Sequence, residues 1–444
     1  MSFGYHRRIL HVNLTNGSIF QERPDDAFYR KYLGGSAMGM YYILNGMSPG
    51  ADPLGPDNIL TLMLSVLTGA PISGQSRLTA NAKSPLVDGI GDSQSGGFFP
   101  AELKFAGYDG IVVKGQSEKP VYLWIKDGLA ELRDATHLWG KSTGDVDNIL
   151  KSELCDKKIE VMQCGPAGEK LASLAAIINM ANRANGRTGL GAVMGSKRLK
   201  AVVVRGTSKK LPVASPKQLN SFARSGVTDF DNNASMVGLR KDGTAGVTTR
   251  QHADGGLPTY NFNAGQFAGS DSISGELMTD TILTGRETCY ACTVRCKRSV
   301  TTTYQDEEVD EKYGGPEYET LATFGSYCGV SDLSAVAMAN QICNEYGLDT
   351  IGTGATIAWA MECFEEGIIS VQDVGFPIPM GNPEVMVKLT KLLADRIGFG
   401  DVIADGSRAA ANRLGKGHEF LITVKGSETP AHMPQVKRSL GLVY

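Results

Sequence analysis

The chain has little net charge and lacks a hydrophobic run long enough to cross a bilayer. Its 444 residues include 44 basic and 47 acidic side chains, which leaves a net charge of −3. This balance gives no electrostatic reason to expect nucleic acid or a membrane as a partner. The apolar run near residues 59–67 is too short to span a bilayer. No apolar segment follows the basic N-terminal residues, so no signal peptide is predicted and the cytoplasm is the expected compartment.

Motifs of two common enzyme classes are also missing. The six histidines are dispersed, and none has H-x-x-x-H or H-E-x-x-H spacing, which disfavours a histidine-based zinc enzyme. The sequence has no G-x-S-x-G motif, which disfavours a nucleophile elbow. The residues left to carry chemistry are cysteines, arginines and carboxylates.

Three of the eight cysteines, Cys289, Cys292 and Cys296, fall within eight residues. The other cysteines are scattered, which is unlike a disulfide framework. Thiolates are soft donors that suit iron–sulfur clusters and zinc. The C-x2-C-x3-C spacing favours a [4Fe–4S] cluster that takes a fourth ligand from elsewhere. A zinc site and three buried, unligated cysteines are the alternatives.

Glycine-rich segments that contain arginines suggest a site for a phosphate-bearing cofactor. Arg77, Arg183 and Arg187 lie in such segments, where backbone N–H groups and a guanidinium fork can bind an anion together. Tight turns with solvated arginines are the alternative. A near-match to a dinucleotide-binding turn at 189–195 is discounted. Residues 171–184 before it look helical, and no acidic residue follows about twenty positions later.

Hydrophobic periodicity predicts an α+β protein whose first half is rich in strands. Residues 8–14 alternate, Asn16-Gly17 turns the chain and residues 18–20 return, which indicates a hairpin. The other predicted strands are 59–64, 110–114, 121–126 and 201–205, with helices near 29–44 and 171–184. Mixed sheets are favoured over a doubly wound fold, because no simple alternation of strands and helices is evident.

Helical periodicity dominates after a linker at residues 206–216. The predicted helices are 333–346, 355–366, 383–397 and 409–414, with Asp332 and Asn382 as N-terminal caps. In the turn Asn344–Asp349, Gly347 ends the first of these helices, which is a sufficient structural reason for its pattern. The polar side chains of this turn could also bind the amine groups of a heterocycle.

Glu317 and Glu319 follow the cysteine loop in a polar stretch. Carboxylates beside a redox centre can accept protons, so both glutamates are candidate catalytic residues. Solvated surface glutamates are the alternative.

Together these motifs resemble the aldehyde:ferredoxin oxidoreductase family of tungstopterin enzymes. The segments that carry the resemblance are 83–86, 96–98, 102–109, 187–197, 289–296 and 316–320. The resemblance implies an N-terminal, two-sheet β-rich cofactor-binding base at 1–210 and a mainly α-helical domain with the Fe–S loop at 211–425. Residues 426–444 would begin a third domain. Family members continue well past the position of Tyr444, so the C-terminal helical domain is expected to be largely absent.

The cofactor of this family is tungsten, or sometimes molybdenum, held by two pterins, with Mg²⁺ at the pterin phosphates and a [4Fe–4S] cluster beside one pterin. The resemblance implies that Cys289, Cys292 and Cys296 ligate the cluster and that Arg77 links it to a pterin. The residues implied at the phosphates and Mg²⁺ are Gln94, Gly96, Arg183 and Ala184. Those implied at a pterin are Asn344, Leu348 and Asp349, with Glu317 or Glu319 near the metal.

The resemblance further implies oxidation of an aldehyde with water to a carboxylic acid. Two electrons would leave singly through the cluster to ferredoxin, and the enzyme would be a homo-oligomer. Asn344 and Gln94 stand where family members usually have Asp and Asn. Three alternatives stay open: a truncated, cofactor-free remnant; half of a split enzyme, whose C-terminal partner chain supplies the fourth cluster cysteine and a catalytic-region histidine; and a relative that reduces aromatic-ring thioesters.

Overall fold

The structure, a computed structural model, describes residues 3–444 and divides into two units. The first unit includes the described chain up to Leu171 together with Ala175–Asn233 and Thr288–Val294. The second comprises Ala172–Leu174, Ala234–Glu287 and Arg295–Tyr444. Among the described residues, none of the helices has both the length and the apolar character that crossing a membrane requires. The three-part division expected from the sequence stays a prediction.

Two six-stranded sheets form the base of the first unit. The strands of the first sheet are β1 (Ile9–Asn13), β2 (Ser18–Glu22), β3 (Leu60–Leu64), β4 (Leu78–Lys83), β5 (Ile90–Ser95) and β6 (Gly110–Lys114). Those of the second are β7 (Val121–Lys126), β8 (Leu129–Asp134), β9 (Glu160–Cys164), β10 (Ile177–Asn179), β11 (Arg183–Asn185) and β12 (Leu199–Arg205). The orders are β2-β1-β6-β3-β4-β5 and β11-β10-β9-β12-β7-β8.

Each sheet mixes parallel and antiparallel neighbours, as the sequence predicted. The pairs β1–β6 and β7–β12 are parallel, and the other neighbours are antiparallel. The predicted hairpin is confirmed, because β1 and β2 pair across the Asn16-Gly17 turn. The helices of this unit are α1 (Asp26–Tyr32), α2 (Gly35–Gly46), α3 (Phe99–Phe105), α4 (Thr143–Glu153), α5 (Pro166–Glu169), α6 (Leu190–Ser196) and α7 (Pro216–Thr228). The predicted helix near 29–44 is therefore two helices, separated at Leu33 and Gly34, where φ is positive.

Alternating side chains bury the inner faces of both sheets in one core. Leu10, Leu62 and Ile111 of the first sheet share a fully buried cluster with Leu123 and Val202 of the second. Side chains one position away in the strands face outward from this core, because successive residues of a strand point to opposite faces. Ile9, Met63 and Val112 accordingly pack with α1 and α2, whereas Tyr122 and Val203 pack with α4.

The helix predicted at residues 171–184 is wrong. The segment instead contains the antiparallel pair β10–β11, and β10 also pairs with β9. Met180 and Ala181 have φ values of 53° and 55°, which turn the chain between the two strands. Strand pairing therefore overrides the helix propensity of an alanine-rich sequence. A strand, β11, therefore does precede the glycine-rich segment 189–195. It is an edge strand in an antiparallel hairpin, whereas a dinucleotide-binding turn follows a strand of a parallel unit.

The second unit is mainly helical, as predicted. Its helices are α8 (Ala234–Asp242), α9 (Thr248–Ala253), α10 (Gly275–Thr281), α11 (Tyr318–Thr320), α12 (Leu333–Tyr346), α13 (Thr350–Glu365), α14 (Val371–Val374), α15 (Pro383–Asp395), α16 (Phe399–Ile403), α17 (Ser407–Leu414) and α18 (Arg438–Val443). Its short strand pairs are β13 (Leu283–Glu287) with β14 (Lys297–Val300), β15 (Thr302–Tyr304) with β16 (Glu307–Val309), and β17 (Thr423–Val424) with β18 (Ser427–Glu428).

Helix ends in this unit follow local sequence signals. The Asp332 carboxylate accepts the N–H of Ala335 at 3.0 Å and begins α12. Gly347 ends the same helix in the left-handed conformation, with φ 76° and ψ 58°. The Asn382 side chain caps α15 in the same way as Asp332. These caps satisfy backbone groups that a helix end leaves unpaired, which is why they could be predicted from sequence.

Candidate functional site

The first part of the cysteine loop, Thr288–Val294, belongs to the first unit. The N–H of Cys292 donates to the carbonyl of Cys289 at 3.1 Å, which closes a tight turn. Ala291 lies within that turn with a φ of 56°, a conformation that is strained for a residue with a side chain. The Thr288 hydroxyl donates to the carbonyl of Cys292 at 2.7 Å. Local hydrogen bonds therefore fix the loop in a curved conformation.

Tyr290 anchors this loop to the base of the first unit. Its N–H donates to the carbonyl of Gly97 at 3.2 Å, and its carbonyl accepts from the Gln75 amide at 3.3 Å. Its ring packs edge-to-face against Phe105 of α3, with the ring centroids 5.2 Å apart. The loop is therefore held by both its backbone and its side chain.

Each of the two sulfur atoms in this loop accepts a hydrogen bond from the glycine-rich segments. The N–H of Gly97 donates to Sγ of Cys289 at 3.1 Å, and the Ser73 hydroxyl donates to Sγ of Cys292 at 3.3 Å. Gly96 lies against the first sulfur: a Cβ there would be 2.8 Å from Sγ of Cys289 and 3.8 Å from Nη1 of Arg77. Gly96 therefore lies near both the Cys289 thiol and the Arg77 guanidinium. Among the described residues, none of the eight cysteines forms a disulfide.

The third cysteine of the motif, Cys296, lies in the second unit, directly before β14. Within residues 3–444, no group of three or more His, Cys, Asp or Glu side chains is arranged to hold a single metal ion. An iron–sulfur cluster is held differently, because each cysteine binds a separate iron.

Three of the four residues predicted at the phosphates and Mg²⁺ lie on the edge strands β5 and β11, and the fourth, Gly96, directly follows β5. Gln94 is exposed on β5, and Ala184 is partly buried on β11. Arg183 is buried; its guanidinium donates to the Asn182 side chain and, at 3.4 Å, to the carbonyl of Thr288 at the start of the cysteine loop. This arginine therefore connects β11 to the loop.

Two asparagines that the sequence analysis did not select lie close to these residues. Asn179 and Asn185 are fully buried, and within the described part of the chain their Oδ1 atoms have no hydrogen-bond partner. Oδ1 of Asn179 lies 2.6 Å from the position that a Cβ of Gly97 would occupy. Buried acceptors normally find a donor or a cation. No sequence pattern marks these asparagines, because their burial depends on the pairing of β10 with β11.

In the second unit, Glu317 and Glu319 have different surroundings. Oε1 of Glu317 lies 3.3 Å from Nζ of Lys297, and its Oε2 accepts a hydrogen bond from the Thr244 hydroxyl. Oε2 of Glu319 accepts the N–H of Ala431 at 2.8 Å, and its Oε1 lies 3.4 Å from Nε2 of His432. Glu317 is therefore paired with a lysine, whereas Glu319 has a histidine as its neighbour.

His432 was missed because the sequence shows only a dispersed histidine. Its ring lies 5.5 Å from the ring of Tyr318, whose hydroxyl donates to the Ala431 carbonyl at 2.6 Å. Burial, and secondarily Lys437, lowers the pKa of His432, so the imidazole is neutral at pH 7. Burial raises the pKa of Tyr318, with a further contribution from Glu319.

Asn344 lies in the last turn of α12, and Leu348 and Asp349 lie in the turn between α12 and α13. The Asn344 amide donates to the carbonyl of Tyr313 at 3.0 Å, and Leu348 is buried. The Asp349 carboxylate accepts the N–H of Ile351 at 3.0 Å and begins α13. Each residue thus has a structural contact, and the pterin-binding role stays a prediction.

Two family models match the chain, and together they cover the candidate-site residues of both units. The model of the aldehyde ferredoxin oxidoreductase N-terminal domain matches residues 9–206, and that of domains 2 and 3 matches residues 222–444. The chain belongs to the aldehyde ferredoxin oxidoreductase family. The resemblance drawn from the sequence is therefore confirmed, and the chain is an oxidoreductase.

Individual relatives agree with this assignment. The chain is 41% identical over 445 residues to the tungsten-containing aldehyde ferredoxin oxidoreductase of Thermococcus kodakarensis, covering 100% of this chain and 72% of the relative. It is 40% identical over 447 residues to the enzyme of that name from Pyrococcus furiosus, with the same coverage. It also resembles the active-site complex BamBC of benzoyl coenzyme A reductase, with a TM-score of 0.85 and 28% identity over 97% of this chain and 67% of that one. The α+β fold is therefore confirmed as the family fold.

The residues of the first unit fit the groups expected in an aldehyde ferredoxin oxidoreductase. The thiols of Cys289 and Cys292 are soft donors, and each sulfur accepts one hydrogen bond from the glycine-rich segments. Because Gly96 has no Cβ, its backbone can lie close to the sulfur of Cys289. The unpartnered Oδ1 atoms of Asn179 and Asn185 are hard oxygen donors of the kind that Mg²⁺ accepts.

If the loop holds the iron–sulfur cluster that the sequence predicts, Gly96→Ala is expected to weaken its retention. The added Cβ would lie 2.8 Å from Sγ of Cys289, and such overpacking costs about 1–3 kcal/mol. That cost corresponds to retention weaker by roughly 5- to 150-fold. Iron per chain and visible absorbance after anaerobic purification measure the effect. Gly89→Ala is the control, since nothing lies within 4 Å of its Cβ position. Equal iron in both variants would contradict the close contact with Cys289.

Proposed function

We propose that this chain is a tungsten- or molybdenum-dependent bis-pterin oxidoreductase that oxidises aldehydes to carboxylic acids. Electrons would leave through a [4Fe–4S] cluster to ferredoxin or a similar acceptor, in the reducing cytoplasm. The observation that carries the proposal is the cysteine loop of the first unit, where two thiols each accept a hydrogen bond from the glycine-rich segments. The names of the tungsten-containing relatives support the metal and the substrate class.

The residues proposed to hold these groups come from both units. Cys289, Cys292 and Cys296 would ligate the cluster, and Arg77 would contact a pterin beside it. The other residues proposed at the pterins and Mg²⁺ are Gln94, Gly96, Asn179, Arg183, Ala184, Asn344, Leu348 and Asp349. The metal centre would supply the two-electron oxidation and the cluster the one-electron steps, while the protein binds, orients and excludes water.

Among the protein groups, Glu319 is proposed as the proton acceptor. Addition of water to the aldehyde carbonyl releases a proton, and a carboxylate is a suitable base for it. The lysine beside Glu317 compensates the charge of that carboxylate and makes it a weaker base. Glu319 instead has a neighbouring imidazole whose pKa is lowered. His432 could therefore take the proton onward from Glu319.

Reduction of an aromatic-ring thioester is the second candidate. The observation that favours it is the TM-score of 0.85 to the active-site complex of benzoyl coenzyme A reductase. Sequence identity favours the first candidate, because the chain is 41% identical to a tungsten-containing aldehyde ferredoxin oxidoreductase but 28% identical to the reductase complex.

Metal analysis followed by a substrate panel tests the proposal. Anaerobically purified protein is expected to contain near-stoichiometric tungsten or molybdenum and about four irons per chain, and to oxidise aldehydes with a viologen acceptor. Benzoyl coenzyme A with a low-potential donor is the parallel assay for the second candidate. Protein that lacks iron and both heavy metals, even after anaerobic reconstitution with any product encoded downstream, would support the cofactor-free remnant and end the proposal.

A further inference from the structure

The Ser73 side chain joins its own glycine-rich segment to the cysteine loop, which is far away in the sequence. Its hydroxyl donates to Sγ of Cys292 at 3.3 Å. The same oxygen accepts the N–H of Thr293 at 3.1 Å and lies 3.2 Å from the Thr293 hydroxyl. These contacts place one small polar side chain directly on a proposed cluster ligand.

The hydrogen-bonding capacity of a serine hydroxyl explains why its hydrogen points to sulfur. A hydroxyl has one hydrogen to donate and two lone pairs that accept. The Thr293 N–H occupies one lone pair, and the Thr293 hydroxyl can occupy the other. The single hydrogen of Ser73 is then left for Cys292. Thr293 therefore orients Ser73 as a donor.

A donor on a cluster thiolate changes how readily the cluster takes an electron. Reduction adds negative charge to the cluster and its sulfurs, so a hydrogen bond to sulfur stabilises the reduced form more than the oxidised form. Hydrogen bonds to the sulfurs are one of the features that set the potential of such clusters. The N–H of Gly97 acts on Cys289 in the same direction, but a backbone donor cannot be removed by a side-chain substitution.

We propose that Ser73 is a positioning residue that raises the reduction potential of the iron–sulfur cluster through its hydrogen bond to Cys292. The proposal rests on the proposed function only in that the loop holds a cluster. Ser73 is exposed, so its removal leaves the core of the first unit intact. Its role can therefore be separated from a role in folding.

The test compares Ser73→Ala and Ser73→Thr in the anaerobically purified, metal-loaded protein. The readout is the midpoint potential of the cluster from a redox titration followed by electron paramagnetic resonance. In Ser73→Ala the equilibrium constant for taking up one electron is expected to fall about three- to tenfold, and a tenfold fall corresponds to about 59 mV. Ser73→Thr keeps the hydroxyl and is expected to stay near the parent value. Ser152→Ala, at an exposed serine of α4, is the matched control.

Each outcome has a distinct meaning. An unchanged potential in Ser73→Ala with full iron content would overturn the inference while leaving the proposed function intact. Loss of iron from Ser73→Ala would also overturn it, because a residue required to hold the cluster does more than adjust its potential. Iron-loaded parent protein without aldehyde oxidation would contradict the proposed function alone, and the potential shift would still be measurable. Parent protein that binds no iron would contradict both.

Discussion

Glu319→Gln is expected to lower kcat for aldehyde oxidation by about 10²- to 10⁴-fold, the usual contribution of a positioned general base. Glutamine keeps the size of the side chain and an oxygen that can accept the N–H of Ala431, but it cannot take a proton. Metal and iron content are expected to stay at the parent level, because Glu319 is not among the proposed ligands. The measurement is a steady-state rate with a viologen acceptor, accompanied by metal analysis of each preparation.

Glu317→Gln is the matched control for that experiment. It lies two residues away in the same segment but pairs with Lys297 and Thr244. We expect a loss of less than tenfold from it, since its charge already has a fixed partner. A larger rate loss in Glu317→Gln than in Glu319→Gln would reverse the assignment and make Glu317 the base.

His432 gives the Glu319 experiment a second readout, the pH profile of kcat. Because burial lowers the pKa of His432, the imidazole is neutral at pH 7 and becomes charged only as the pH falls through its lowered pKa. A charged imidazole 3.4 Å from Oε1 of Glu319 would hold that carboxylate ionised and weaken it as a base. Removing His432 is therefore expected to alter the acid limb of the profile. An unchanged profile in His432→Gln would exclude its participation.

Sequence signals were reliable where they act locally. The Asn16-Gly17 turn, the Asp332 cap and the Gly347 helix end each depend on residues within a few positions, and the structure has all three. The helix predicted at 171–184 failed because its alanine-rich composition is a weaker determinant than pairing with β9, which lies earlier in the chain. Long-range pairing leaves little local trace in a sequence.

The residues of the candidate site show the same difference between local and long-range determinants. Spacing alone selected Cys289 and Cys292, whose relation is local. The contacts of Ser73 and Asn179 are not local: Ser73 meets a sulfur 219 residues away, and Asn179 lies beside Gly97. Sequence could not separate Glu317 from Glu319 either, because their partners Lys297 and His432 lie elsewhere in the second unit.

Lys104→Met is expected to destabilise the first unit by about 3–5 kcal/mol, because it leaves a buried carboxylate without its counter-charge. Nζ of Lys104 lies 2.7 Å from Oδ1 of Asp109, and both side chains are 1% exposed. Methionine fills the space of the lysine stem but carries no charge. Native-state hydrogen exchange of the amides in β6, which begins directly after Asp109, measures the free energy of opening of this unit. Lys114→Met, at an exposed position of β6, is the control.

The cost is expected to come from the charge rather than from lost packing, and a double variant separates the two. The Asp109 carboxylate also accepts the N–H groups of His6 and Arg7, at 3.1 and 2.7 Å, and the Tyr29 hydroxyl at 3.2 Å. Asp109→Asn removes the charge but keeps one oxygen acceptor. Lys104→Met combined with Asp109→Asn should therefore be more stable than Lys104→Met alone, since neither charge is then buried unpaired. A double variant less stable than the single would show that the carboxylate stabilises the N-terminal backbone more than its unpaired charge costs.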